Sequence, residues 1–338
     1  MKILKNNLWN LAYTLPVLLL AAGCEKGLDD TKSNEPVELQ INPIVALTRA
    51  VVAGGEQKGG TGAITEISVY ATGAADYTDG NNYAKYTYSS GWANSDPDNK
   101  IYLTNVQATL YAYHPATDKV SSGTIPVTVK ATGTIATVDN SADNATIAAA
   151  TDEIDYLYAT PATADNTAAK RSVELKMKHA LSMVSFRVYK ENYTGAGSLT
   201  QIILKNDDGK TALTTGNPNA LNITTGVVTQ TSPIAATYTR TISGYTLGTV
   251  PAANKLSLLV LPTTTAIPAN EIKATFTIDG APYTVALTAP TASDTDGKWM
   301  AGNNNVYTVK LSGTELSISK VEVTAWTDKN VNGDLTIN

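Results

Sequence analysis

From Val37 onward the chain is written in short runs in which apolar and polar residues alternate. In "VELQI", Val37, Leu39 and Ile41 fall on one face and Glu38 and Gln40 on the other. A period of two belongs to a strand with one buried face. The pattern returns in "ITEISVYAT", "NVQATLYAYHP", "TIPVTVKAT" and "EIDYLYATP", and later in "SLTQIILKN", "IKATFTID" and "NVYTVKLSG". Between the runs stand Gly, Pro and Asn, the residues of tight turns. This pattern predicts an all-β protein with a β-sandwich in each half. The helix candidates are weak, such as "DNATIAAATDE" at 143–153. Residues 162–172, "ATADNTAAKRS", are small and polar without periodicity. They set the expected boundary between an N-terminal domain, 50–168, and a C-terminal domain, 169–338.

The alternation in "VELKMKHALSMVSFRVYK" is longer than one strand. Tyrosines outnumber phenylalanines by 17 to 2, and β-branched and aromatic residues suit half-buried pleated surfaces. Residues 1–23 read differently. Lys2 and Lys5 precede an apolar run from Leu8 to Leu20 and the small residues Ala21, Ala22 and Gly23. This is the order of a secretory signal peptide. Cys24, the single cysteine of the chain, follows at once, and the stretch resembles a lipobox. Cys24 is therefore the expected site of lipidation, by palmitate or a related acyl chain. With that thiol occupied no disulfide can form, so the protein needs a real hydrophobic core. Residues 24–49 combine a polar tether with the first strand. A net charge of -5, from 25 basic and 30 acidic residues, gives no surplus that would attract nucleic acid.

The sequence offers little for catalysis. His114 stands before Pro115 at a strand end and His179 within an alternating run, neither near a nucleophile signature nor in metal-ligand spacing. Packed or surface histidines are the simpler account. No paired-carboxylate motif stands out. "DKNVNG", Asp328–Gly333, has the opening order of a calcium loop, but the bidentate Glu that loop requires is missing, and an Asn/Gly turn between strands explains it better. The chain is read as a non-enzyme with no catalytic residue, cofactor or metal. Arg49, the first of four arginines, lies between a strand and the Gly54–Gly62 loop, where a protease could reach it. By pattern alone a solvated arginine is the simpler reading.

The lipobox cysteine, "ALTRA", "KHALSMVSFRV", "LLVLP" and the terminal "VEVTAWTDKNVNGDLTIN" occur in an order that resembles the fimbrillin family, the subunits of type V pili, over nearly the whole chain. The resemblance implies two transthyretin-like β-sandwich domains in tandem. It implies export to the outer membrane as a lipoprotein anchored through Cys24. An arginine-specific, gingipain-type protease would then cut between Arg49 and Ala50 and release the N-terminal strand. The opened groove would take a strand from another fimbrillin subunit. Val323–Asn338 match the strands used in assembly, with Val331, Leu335 and Ile337 as donor residues. The expected location is a cell-surface fimbrium that supports adhesion. An alternative is a glycan-binding lipoprotein that keeps its anchor, using the tyrosine-rich Asn81–Trp92 stretch to stack on sugars. A surface hydrolase is a third reading, disfavoured by the missing motifs.

Overall fold

The computed structural model describes residues 35–45, 64–73, 81–120, 123–136, 147–150, 153–216, 218–231, 234–252, 255–293 and 295–325. Cys24, Arg49, Ala50, Val331, Leu335, Ile337 and the Asp328–Gly333 stretch read as a turn lie outside these residues. Every regular element among the described residues is a strand, as the alternation predicts.

The chain begins with β1 (Val37–Glu38), β2 (Gln40–Val45), β3 (Glu66–Gly73), β4 (Tyr83–Tyr88), β5 (Trp92–Asn94), β6 (Tyr102–Leu103) and β7 (Ala108–His114). Their apolar faces make a first core with Leu39, Ile67, Val69, Leu103 and Leu110. The chain then crosses to a second core through β8 (Thr124–Val127), β9 (Thr132–Ile135) and β10 (Ile147–Ala148). β8 pairs with β16 (Asn219–Asn222), β9 with β18 (Thr237–Thr246) and β10 with β19 (Lys255–Val260). It returns to the first core for β11 (Leu157–Ala159), β12 (Ala162–Ala164) and β13 (Ser172–His179). The remaining strands build the second core: β14 (Ser182–Glu191), β15 (Ser198–Asn206), β17 (Val228–Gln230), β20 (Ile272–Ile278), β21 (Ala281–Ala286), β22 (Asn303–Ser312) and β23 (Glu315–Ala325), with β16, β18 and β19.

The first core is served by a sheet ordered β2-β13-β11-β7-β3-β4-β5. Two five-stranded sheets, β10-β19-β14-β22-β23 and β21-β20-β15-β18-β9, enclose the second. Phe186 of β14 meets Phe276 of β20 edge to face at 5.2 Å between ring centres, which fixes the two sheets against each other.

The cores divide the chain at other places than residues 168 and 169. β13 pairs in parallel with β2 and antiparallel with β11, so it completes the first sheet. The polar 165–171 segment is a turn between strands of that sheet. The handover comes at Ala180 and Leu181, which belong to the second core. Alternation cannot reveal this, because it gives a strand's buried face but not the sheet that supplies the cover. "VELKMKHALSMVSFRVYK" is thus two strands, one for each core. In β13, Val173, Leu175 and Met177 are buried while Glu174, Lys176 and Lys178 are exposed. β19 is buried at every position, which is why "KLSLLV" reads as a nearly unbroken apolar run. The helix candidate at 143–153 contains β10 instead, paired in parallel with β19.

Polar anchors lie where the chain crosses between cores. Glu153 accepts from Arg240 Nε at 2.7 Å and from Nη2, and its second oxygen accepts from the Leu259 amide at 3.2 Å. Arg240 also donates to the carbonyls of Lys130 and Thr239, both at 3.0 Å. Two residues on, Asp155 faces His179 Nδ1 at 2.9 Å, with both groups buried. Gly226, at φ +74, lies against the Tyr158 ring of β11, which an added Cβ would approach to 2.0 Å. Gly226→Ala combines left-handed strain with overpacking and should cost about 1–3 kcal/mol in urea unfolding.

Candidate assembly site

Residues 37–45 form one extended segment that binds two elements. β1 pairs antiparallel with β6, Val37 opposite Leu103 and Glu38 opposite Tyr102. The Leu39 amide donates to Ile101 O at 2.9 Å, and the Gln40 amide to Arg171 O at 2.9 Å. β2 then runs parallel to β13, from Gln40 opposite Ser172 to Val45 opposite Met177. Leu39, Ile41 and Pro43 face inward and Gln40, Asn42 and Ile44 outward. Leu39 and Ile41 match their predicted burial, whereas Val37 is half-buried. Pro43 is tolerated because β2 is an edge strand, where a missing amide donor costs little.

Three side chains from separate elements pin this segment. Tyr86 of β4 donates its hydroxyl to Leu39 O at 3.2 Å. Burial pushes the Tyr86 phenol well above its ordinary range, so it stays a donor. Asn166 Nδ2 donates to Glu35 O at 2.9 Å. Lys100 Nζ meets Glu38 Oε2 at 2.9 Å, and this hydrogen bond to the carboxylate raises the pKa of the ammonium. Its sign is that of a cation gaining a partner. The stabilisation is full below the ordinary lysine value of about 10.4 and is lost as pH rises through the higher folded value. Beside the segment, between it and β5, lies a cleft of about 410 Å³ lined by Glu38, Gln40, Trp92 and Pro97 among others.

Without residues 37–45, the backbone of β13 and the Val173–Leu175–Met177 face would lose their cover. That is a sheet edge ready for strand addition. In sequence, residues 46–65 separate β2 from β3 and include Arg49.

At the other end, β23 is the edge strand of its sheet and pairs with β22 along its length. Ser319 is an extra residue: Thr308 lies opposite Lys320 and Val309 opposite Ile318. This bulge explains a parity change in "ELSISKVEV". Leu316 and Ile318 are two apart, then Val321 follows three later, and all three pack on the second core.

In the tyrosine-rich stretch two of the three tyrosines turn into the protein. Tyr83 and Tyr86 are 5% and 2% exposed, which leaves Tyr88 and Trp92 as a tilted pair 5.7 Å apart. His114 is half-buried, with Nδ1 2.9 Å from Glu66 O. Among the described residues no three His, Cys, Asp or Glu side chains gather to hold a metal. Sequence reasoning missed Lys100 and Asn166, and it placed Tyr86 in a candidate sugar-stacking stretch and not on the strand it holds. Each lies far along the chain from the strand it holds, and only the pairing of β1 and β2 brings them together.

Fold and site together define a multi-sheet β protein whose first core is completed by an edge strand from near the chain's N-terminal end. The chain belongs to the fimbrillin-like family, whose profile matches residues 48–326, from just beyond β2 to just past β23. Among curated proteins, no sequence matches this chain. A candidate cell adhesion protein from Bacteroides ovatus shares the fold, with a TM-score of 0.61, 18% identity, and coverage of 88% of this chain and 100% of its own. A second from Bacteroides uniformis has a TM-score of 0.58 and 20% identity, covering 86% and 99% respectively. A fimbrial protein from Bacteroides vulgatus has a TM-score of 0.48 and 18% identity, over 87% and 100%.

Proposed function

We propose that this protein is a structural subunit of a cell-surface type V pilus that supports adhesion, assembled with other fimbrillin subunits by strand exchange. It is exported as a lipoprotein anchored in the outer membrane through Cys24, and an arginine-specific protease cuts it between Arg49 and Ala50. Residues 24–49 then leave, and a strand of a neighbour carrying Val331, Leu335 and Ile337 takes the place of β1 and β2. The observation that carries this reading is that residues 37–45 are an edge segment whose inward face, Leu39, Ile41 and Pro43, fills the first core. Such a segment keeps the sheet covered before cleavage, and cleavage leaves it held by non-covalent contacts alone. Family membership, a structural-protein family, supports a non-enzymatic role.

The test is Arg49→Ala in producing cells. A folded, lipidated monomer that keeps Cys24 at its mature N-terminus and forms no filaments by electron microscopy is expected. Filaments at wild-type abundance would show that cleavage at this arginine is not the switch.

A further inference from the structure

Of the three arginines among the described residues, one has its peptide bond at the surface. Arg240 is fully buried, and Arg187 lies inside β14, paired with β22. Arg171 ends the turn between β12 and β13, where Ala168–Ser172 are exposed throughout. That turn is held in two ways. Within it, the Thr167 amide and hydroxyl donate to Asp165 Oδ1, and the Lys170 and Arg171 amides donate to Thr167 O. Two further hydrogen bonds tie it to the edge segment. Asn166 Nδ2 donates to Glu35 O, and Arg171 O accepts from the Gln40 amide, both at 2.9 Å. The start of β13 depends on the same segment. Ser172–Leu175 pair with Gln40–Pro43 of β2, whereas β11 pairs only with Met177–His179. Among the described residues, no strand but β2 is laddered to Ser172–Leu175.

We propose that the Arg171–Ser172 bond is a second site for an arginine-specific protease, masked while residues 37–45 lie in place and opened when they leave. Departure of the segment after cleavage at Arg49 belongs to the function proposed above, and the inference rests on that reading for its trigger. A protease takes its substrate as a locally unfolded, extended stretch of chain. With the segment in place, the Arg171 carbonyl is engaged, the residues before it are wound in a turn, and those after it are fixed in a ladder. Without the segment, the carbonyl is released and Ser172–Leu175 have no ladder partner, so this stretch can lift from the sheet into a protease cleft. Hydrolysis then breaks the bond from the Arg171 carbonyl carbon to the Ser172 nitrogen. The hydroxyl of water passes to Arg171 and its proton to Ser172.

Exposure of Arg171 is not sufficient for cutting. Val173 and Leu175 are 7% and 0% exposed in the first core and resist the lifting. Leu39 and Ile41 belong to that core too, so departure of the segment weakens the apolar hold and the ladder at once. The outcome is selective removal. A subunit with a strand on β13 keeps the bond closed, and a subunit left open is cut inside its first sheet, between β12 and β13.

The test is digestion of the folded full chain carrying Arg49→Ala with an arginine-specific protease, the cut at Arg171 being followed by mass spectrometry. With Arg49 replaced, the result does not depend on whether cells cut there, which the filament experiment above decides. Proteolysis through a transient opening follows the population of the open form. Adding Leu39→Ala should therefore speed the cut by about thirtyfold, the low end for an emptied leucine site. Leu110→Ala, which empties a site of the same core on β7, should speed it far less. Equal acceleration by both would show that the bond opens only with the whole lobe and would overturn the proposal, as would no cut at Arg171 in the Leu39→Ala chain. A covalent pin tests the mask from the other direction. Glu38 and Tyr102 are directly opposed on antiparallel strands, a separation that suits a disulfide. With Cys24→Ser to leave no other thiol, the Glu38→Cys and Tyr102→Cys pair should slow the cut about tenfold when oxidised, relative to the same protein reduced. Equal rates in the two states would overturn the role given to the segment.

Discussion

Arg240→Met is expected to cost about 3–5 kcal/mol of stability in urea unfolding, the scale for removing one partner of a buried ion pair. Arg240 is 0% exposed and Glu153 7%. With the guanidinium gone, Glu153 keeps the Leu259 amide and loses the charge that offsets its desolvation. The carbonyls of Lys130 and Thr239 also lose a donor. A second replacement, Glu153→Leu in the Arg240→Met background, should recover much of the loss because it removes the uncompensated charge. If the double variant is no more stable than the single, the cost comes from the lost carbonyl contacts instead. Loss below about 1 kcal/mol for Arg240→Met would show that Glu153 finds water or another partner.

Leu39→Ala should cost about 2–5 kcal/mol, the range for emptying a buried leucine site. Leu39 is 1% exposed in the first core. Much of its effect should appear as local opening, because β2 is an edge strand paired with β13 alone and β1 adds a two-residue pairing with β6. Hydrogen exchange should therefore quicken most at the β2 and β13 amides, while β14 and β19 in the second core keep their protection. Uniform acceleration across both cores would show that the segment is not a separable unit. Within the strand-exchange reading, the same replacement should ease departure of the segment after cleavage, and faster filament formation by Leu39→Ala cells would record it.

Strand positions and faces were the most legible part of the sequence. Val173, Leu175 and Met177 alternate because β13 has water on one side, and the pattern says so without help from the rest of the chain. Sheet membership was not legible. β8, β9 and β10 alternate or run apolar like any other strand, yet they cross to the second core and pair with β16, β18 and β19. The turn at 165–171 looked like a linker because it is polar and small, properties that a hairpin-like connection shares with a linker. Leu39 and Ile41 were readable as buried. The partners of Tyr86, Lys100 and Asn166 were not, since a tyrosine, a lysine and an asparagine in loops and strands carry no local mark of a distant partner. Arg240 was visible only as one of a few arginines. Its position on an alternating strand gave no hint that a glutamate 87 residues earlier would meet it.

The chain passes between the two cores three times, from β7 to β8, from β10 to β11 and from β13 to β14. In an array of beads on single linkers, each junction is a hinge, and tension along the array falls on one strand of backbone. Here a pull between the cores is shared among three covalent crossings. One lobe cannot swing freely about the other without bending all of them. Nor can the first lobe be stripped away alone, because β8, β9 and β10 must first be drawn out of ladders in the second. A fibre of such units would owe its bending stiffness and resistance to stretching to this stitching within each subunit, and would yield where subunits join before any subunit comes apart.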